Sequence, residues 1–393
     1  MIVFHILSLL FGTLLVLAIL GSALKTVVLP QGGFPRLSQA VFALVYRLLV
    51  RRWRNGSLAK ALRALYAPVA LVSLPLVWML LMVVSFTFVF WGTGSLTWQK
   101  AFEISGSSLT TLGFSKPDGT SRIWIAFIEA TIGLGLVALL ISYLPTIFSA
   151  YNGREKGIIR LRPVAGTPPR ATELLLSLHR TGVLNNADFW KTQADWMLDL
   201  EQTHTAFPIL SYFPETDADH SWVATVGTLL DAAALVVSAS ETAAGEVYAD
   251  VEKGPLLILV YGLPLIVRIA RAANVPLAPP ARLAELVPQF TEPAPPISIR
   301  RDEYLAAMAA MAPVLVLDPG REEEGWRRFA RIRSAYDPSI RALAGLTTAY
   351  PAPWTTDRPA EVGKPRFLRR RPLHVDWSES VPVPTVSPSP ESS

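Results

Sequence analysis

The sequence predicts an all-α membrane protein with three transmembrane helices, one short helix that re-enters the membrane, and a mainly α-helical domain beyond them. Three observations predict it. Hydrophobic residues fill 51% of the 393 positions and charged residues only 17%, with a mean hydropathy of +0.36. Soluble domains are about one-quarter charged and rarely reach positive mean hydropathy. The apolar residues concentrate in the first 150 positions, in three long runs almost free of charge. Beyond Arg154 they recur at three-to-four spacing, with no run of alternating strand pattern. Cysteine is absent, which excludes disulfide scaffolds and cysteine-ligated metal sites.

The first element is a spanning helix within residues 1–25. From Ile2 to Leu24 there is no Asp, Glu, Lys or Arg, and His5 is the only titratable side chain. About 23 residues at 1.5 Å each cover roughly 34 Å, enough for a bilayer core. The alternative is a secretory signal peptide cleaved near Gly21-Ser22-Ala23, but the basic segment that opens such peptides is missing.

Residues 26–63 form a basic loop holding Arg47, Arg51, Arg52, Arg54, Lys60 and Arg63. Within it, Leu37 to Arg54 sets Val41, Leu44, Val45, Leu48 and Leu49 on one face opposite arginines. This suits a helix lying along the inner leaflet, or equally one packed on the helical domain. The second charge-free run, Ala64 to Gln99, contains Pro68 and Pro75, which bend a membrane helix without stopping it. The third, Ile123 to Tyr151, carries one charge, Glu129, and is closed by Arg154, Lys156, Arg160 and Arg162. Basic residues on both flanking segments place those segments in the cytoplasm. The expected topology is a multi-pass cell-membrane protein with its amino terminus and the 93–121 connection outside, and everything after the third helix inside.

Residues 97–118 join the second and third spans. From Thr97 to Leu109 the positions of Trp98, Ala101, Phe102, Ser105 and Leu109 are helical, and Lys100 and Glu103 are the only charges. This helix is too short to span, so it reads as one that dips into the membrane. The residues after it, Thr110-Thr111-Leu112-Gly113-Phe114, carry the chemistry. A dehydrated cation needs oxygens in place of its water shell, and an extended segment of small or β-branched residues can turn successive carbonyls toward one axis. Gly113 gives the backbone the necessary freedom, and Thr111 adds a hydroxyl. The short helix would aim its partly negative C-terminal end at the membrane centre. Irregular backbone at that depth must be buried or line a water-filled path.

With these residues in this order, Ala64 to Tyr151 resembles the pore of the prokaryotic potassium-channel family: outer helix, pore helix, a Thr-Thr-Val-Gly-Tyr-Gly type filter and inner helix. Thr110, Thr111, Leu112, Gly113 and Phe114 match the filter, and Ala64–Gly92 and Ile123–Ala150 match the flanking helices. The match covers under a quarter of the chain and leaves out the N-terminal helix and the C-terminal domain. The resemblance implies a cation channel, most simply for potassium, in which the carbonyls of Thr111 to Phe114 replace water. One loop per chain cannot enclose an axis, so it also implies a homotetramer in the lipid bilayer. It implies no enzymatic reaction and no cofactor, with potassium as the permeant species at the filter.

Two positions depart from the family pattern, which ends in Gly followed by Asp. Here Ser115 and Lys116 stand there. A serine forced into the left-handed region costs roughly 1–2 kcal/mol, so either the last carbonyl is oriented differently or the strain is borne. Lys116, repeated around an outer mouth, opposes cations, with Asp118 as a partial offset. Potassium and sodium are therefore not distinguished by the residues alone. In the third helix Gly133, Gly135 and Pro145 read as a gating hinge, or the glycines as close packing against the short helix. Glu129 reads as filter support hydrogen-bonded from behind, or as an interfacial partner of Arg122.

Residues 154–350 read as a helical domain. Leu174–Leu184 and Phe189–Leu200 are amphipathic, and Val223–Ser240 is rich in alanine and leucine. The charge-free stretch Gly254 to Val267 contains Pro264 and, at about 14 residues, is too short to span. Glu322, Glu323 and Glu324 precede Arg327, Arg328, Arg331 and Arg333, the order a helix dipole favours. Asp195, Asp199, His204, Asp217, Asp219 and His220 are candidates for metal or acid–base chemistry, although solvated helix faces have the same composition. The aromatic stretch Thr203 to Pro214 reads as a packed loop. No Gly-x-Gly-x-x-Gly follows a strand, and neither a phosphate loop nor His-Glu-x-x-His occurs. No regulatory ligand is indicated.

The tail 351–393 is rich in Pro, Ser and Arg. Lys364, Arg366 and Arg369–Arg371 suit anionic lipid, and Pro382 to Ser393 suit disorder. The net charge of +5 is accounted for by the membrane, without nucleic acid. The alternative to a channel is a membrane-anchored scaffold whose helical domain binds a partner and whose 97–120 segment is an inert loop.

Overall fold

The computed structural model describes residues 2–27, 36–51, 57–212, 220–239, 253–273, 275–315, 320–347 and 349–360, and among them every regular element is helical. The first of these, α1 (Ile2–Val27), runs against α3 (Ser57–Gly92). Two glycines permit the approach. A Cβ on Gly12 would lie 2.7 Å from the Ser85 carbonyl oxygen, and one on Gly92 would lie 2.6 Å from the Leu9 amide nitrogen. Small residues are the usual means of bringing backbones together in lipid, where apolar burial alone drives little association. The Ser8 hydroxyl then donates to the Phe88 carbonyl at 2.8 Å. The other face of α1 exposes Phe4, Leu7, Leu10, Phe11, Leu14 and Leu17, a surface suited to lipid rather than water.

The amphipathic segment forms α2 (Arg36–Tyr46), continued by a π-helical turn at Arg47–Arg51. It packs on α3, burying Val41, Phe42 and Val45, and the Tyr66 hydroxyl donates to the Phe42 carbonyl at 3.5 Å. Leu44 and Leu48 stay exposed. The side chains of Arg51, Arg52, Arg54, Lys60 and Arg63 lie outside the described residues, as do Asp217, Asp219 and the whole tail beyond residue 360.

α4 (Trp98–Leu109) starts at Thr97, whose hydroxyl accepts from the Lys100 amide at 3.3 Å. It packs on both α3 and α5. Its first residue, Trp98, meets Phe88 and Trp91 edge-on, with ring centroids 4.9 and 5.8 Å apart. α5 (Thr120–Ala165) has 46 residues, about 69 Å at 1.5 Å per residue. That is more than twice the thickness of a hydrocarbon core, roughly 30 Å. The helix therefore continues past the third apolar run and enters the C-terminal bundle without a break, carrying Pro145 and Pro163 inside it.

The junction is built around Arg154, which is buried. Its guanidinium donates to the Leu210 carbonyl at 3.3 Å, pairs with Glu155 at 3.1 Å and lies 4.6 Å above the Tyr151 ring. Its own carbonyl accepts from the Trp196 indole at 3.2 Å. Gly157 leaves no room for a Cβ beside that indole, so the Trp196 ring packs directly on the α5 backbone there.

The bundle comprises α6 (Ala171–Arg180), α7 (Ala187–Ala206), α8 (Trp222–Ala239), α9 (Lys253–Ala272), the short α10 (Leu283–Leu286), α11 (Arg301–Ala310), α12 (Glu322–Ser334) and α13 (Asp337–Thr347). α8 is its axis: every residue from Trp222 to Leu235 is buried. Among the described residues, five helices are apolar and long enough to cross a membrane: α1, α3, α5, α8 and α9. The stretch read from sequence as too short is thus part of a 20-residue helix that runs through Pro264, because the lysine and arginines at its ends extend the helix without extending the apolar run. Five such helices mark a membrane protein.

Candidate functional site

Helix α4 ends where the Thr-Thr-Leu-Gly-Phe segment begins, and the ending determines how that segment is laid out. The amide of Thr110 donates to the Gly106 carbonyl at 3.2 Å, and that of Thr111 to the Ser108 carbonyl at 3.0 Å. The amides of Leu112 and Gly113 both reach the Ser107 carbonyl, at 3.0 and 3.4 Å. The amide of Ser115 donates to the Ser107 hydroxyl at 3.0 Å. The Leu112 and Thr111 bonds form the paired closure of a Schellman cap, which requires a left-handed residue just after the helix.

That residue is Thr111, with φ of 57°, and Gly113 follows in the same region at 71°. Ser115 is not left-handed, so the strain expected at Ser115 falls on Thr111 instead. The reason is the register of the cap, which places its obligatory positive φ two residues past Leu109. A β-branched residue there costs about 1–2 kcal/mol.

With the amides of 110–113 and 115 turned back onto α4, the carbonyls of Thr110 to Phe114 have no hydrogen-bond partner among the described residues. Thr110 spends its hydroxyl on the Gly106 carbonyl at 2.5 Å, while Thr111 leaves its own exposed. Leu112 and Phe114 are 71% and 67% exposed. The segment thus offers backbone oxygens without a hydrogen-bond partner among the described residues, beside two exposed apolar side chains. The same capping amides also occupy the last-turn carbonyls of α4 that the sequence reading aims at the membrane centre.

Behind the segment, α4 is locked to its neighbours by a serine. The Ser105 hydroxyl sits between the Val83 carbonyl oxygen, 2.9 Å away on α3, and the Glu129 carboxyl, 2.5 Å away on α5. Glu129 is fully buried, and its second oxygen has no partner among the described residues. Arg122 instead engages the hydroxyls of Thr93 and Ser95 and the Asp118 carbonyl. Lys116 and Asp118 are exposed. Gly133 faces α4, and a Cβ there would overlap the Leu109 carbonyl oxygen. Gly135 has nothing within 4 Å of its would-be Cβ, and Pro145 is exposed on α5.

The geometry brings Glu129 and Gly133 to the short helix and leaves Gly135 and Pro145 away from it. Ser105 and Ser107 carry most of the polar contacts, and sequence reasoning missed both as site residues. Small polar residues in a short amphipathic helix carry no distinguishing signal, and only their register against the segment singles them out.

No family model, curated protein or solved structure matches this chain. The site therefore stands on its own geometry. Elsewhere, among the described residues, no group of three or more His, Cys, Asp or Glu side chains is placed to hold a metal. Asp195 and Asp199 are exposed on α7, and His220 bonds Glu155 at 2.7 Å.

His204 is buried, with Nδ1 2.9 Å from the Leu200 carbonyl oxygen and its ring 4.8 Å from Trp222. Burial, then the charge of Arg154, pushes its pKa down from 6.5 to about 3, against the opposing Leu200 carbonyl. Between those values the unfolded chain binds a proton that the folded chain refuses, so this contribution to stability is full above pH 6.5 and declines as pH falls toward 3. Thermal unfolding in detergent is expected to weaken by about 1.4 kcal/mol per pH unit below pH 6.5 from this group. A His204→Gln variant should show a shallower slope. An unchanged slope would assign the pH dependence to other groups.

Proposed function

We propose that the chain is the subunit of a cation channel, most simply a potassium channel, in which four copies surround one axis and ions pass by passive conduction. The observation that carries the reading is the hydrogen bonding of the 110–115 backbone. The amides of 110–113 and 115 are taken up by α4, while the carbonyls of 110–114 have no hydrogen-bond partner among the described residues. Replacing the water around an alkali cation takes several such oxygens at once, and symmetry multiplies one row into a cage.

Two further features support it. Leu109 meets α5 about 20 Å along that helix from Thr120, whereas Trp98 touches the end of α3, so α4 runs inward and the 110–119 stretch returns. In this reading α4 is a re-entrant pore helix. The exposed side chains Leu112, Phe114, Trp124, Phe127 and Leu134 supply the apolar surface that neighbouring copies would cover. The basic segments around residues 47–63 and 154–162 then lie in the cytoplasm with the C-terminal bundle, and the amino terminus lies outside. No chemical reaction is assigned to the chain.

The test is the reversal potential of purified protein in planar bilayers under a potassium/sodium gradient, beside Gly113→Asp. The wild type should shift toward the potassium equilibrium potential. The variant puts a side chain at φ of 71° and a carboxylate beside the ion row, and its current should fall to baseline. Silence from folded, inserted wild-type protein would overturn the channel in favour of the anchor reading.

A further inference from the structure

Among the described residues, Ser107 is the one that hydrogen-bonds the 110–115 segment with both its backbone and its side chain. It lies on α4, buried to 1% exposure, and its hydroxyl faces the segment rather than the helix's own preceding turn. Its carbonyl accepts two amides, Leu112 and Gly113, and its hydroxyl accepts a third, Ser115. These contacts divide the work. The carbonyl is supplied by any residue at this position, so it fixes only where the helix stops. The hydroxyl is supplied by the side chain, and among the described residues it makes the one hydrogen bond that ties the distal end of the segment back to α4.

Without that bond the Ser115 amide is a buried donor with no acceptor, since Ser115 itself is buried and its own hydroxyl has no partner among the described residues. The peptide planes between Gly113 and Ser115 would then be free to rotate, and Gly113, already left-handed, offers the least resistance to rotation. The carbonyls of Gly113 and Phe114, on either side of the freed planes, would be the first to change direction. A row of oxygens discriminates between cations of different radius only while its members keep a set direction and spacing.

We infer that Ser107 is a positioning residue for ion selectivity: through its hydroxyl it holds the distal carbonyls of the 110–115 row in register, and so separates potassium from sodium. This rests on the channel reading. It also explains how the segment holds its shape with Ser115 in a position where the resembled family has glycine. The anchoring is moved from a glycine turn to a helix side chain.

The experiment compares Ser107→Ala and Ser107→Thr with the wild type, as full-length reconstituted protein, by two readouts. The first is the potassium-to-sodium permeability ratio. It should fall about tenfold in Ser107→Ala, the effect of one lost hydrogen bond to a buried amide, while current persists, and it should return in Ser107→Thr. The second is amide hydrogen exchange over residues 110–116, which should quicken in Ser107→Ala and be restored by threonine.

A conducting wild type whose ratio is unmoved by Ser107→Ala overturns the role and leaves the channel standing. Unchanged exchange in Ser107→Ala overturns the positioning bond itself, and that readout does not depend on current. A folded but silent wild type overturns the channel reading and the selectivity role with it.

Discussion

Gly133→Ala is expected to cost the chain about 3 kcal/mol and to abolish any current carried by the 110–115 segment, while Gly135→Ala, two residues away, is expected to be neutral or mildly stabilising. The two glycines share a helix, and alanine is the better helix former by about 1 kcal/mol at both. They differ in what a Cβ meets. At 133 it overlaps the carbonyl oxygen of Leu109, which belongs to backbone and cannot rotate out of the way as a side chain would. At 135 it meets nothing within 4 Å. Relief at 133 requires α4 to move away from α5, and Leu109 is the residue from which the segment springs, so the displacement carries directly into Thr110 and Thr111. The same motion would stretch the Ser105–Glu129 contact one turn earlier. The check is thermal unfolding of both variants in detergent, together with their current. Equal stability of the two variants would mean that α4 does not sit on Gly133, and the packing behind the segment would have to be redrawn.

The membrane helices were legible because charge marks them, yet charge marked the wrong boundary. A charge-free run ends where lipid ends, not where the helix ends. α3 begins at Ser57 although its charge-free run begins at Ala64, and α5 continues to Ala165 although the third run closes at Arg154. Lysine, arginine and glutamate are good helix formers, so helix and apolar run part company at both places. The long α5 that results is the physical link between the apolar helices and the bundle, and no composition window shows it.

The short helix was legible at its start and hidden at its end. Thr97 is a good N-cap and does cap α4. The end turns on a left-handed Thr111, which propensity argues against, and sequence reasoning looked instead to Ser115, weighing strain there against a differently oriented carbonyl. A strained residue at a candidate site is where local rules are expected to fail, because surrounding contacts over-determine the backbone there. The contacts in this case are the carbonyls of Ser107 and Ser108, three and four residues earlier. Gly133 was legible as either hinge or packing residue, and its approach to the Leu109 carbonyl shows the packing.

Replacing Arg333 by methionine is expected to destabilise the C-terminal bundle by about 3–5 kcal/mol, the largest effect foreseen for a single side chain outside the segment. Arg333 is fully buried on α12. Its guanidinium pairs with Asp231 on α8, with Asp337 at 3.0 Å, and with the Trp354 carbonyl. The Tyr336 hydroxyl donates to the same Asp231 carboxyl at 2.6 Å. Removing the cation leaves two carboxylates in an interior that cannot solvate them, and a domain with 5–15 kcal/mol in total cannot absorb much of that (~0.1 kcal/mol per residue).

Removing both charges is a different matter. Arg333→Met with Asp231→Asn eliminates the principal pair while keeping an acceptor for Tyr336, so the double variant should recover well over half of the loss, a coupling that a double-mutant cycle in denaturant reads directly. Additive losses would sink this account. The pair also bears on why α8, apolar and long enough to cross a membrane, lies at the centre of the bundle. An aspartate midway along α8 needs a cation, and α12 brings one on a helix whose other face carries Glu322, Glu323 and Arg327. The Arg333–Asp231 pair thus fixes α12 against α8 from within the bundle.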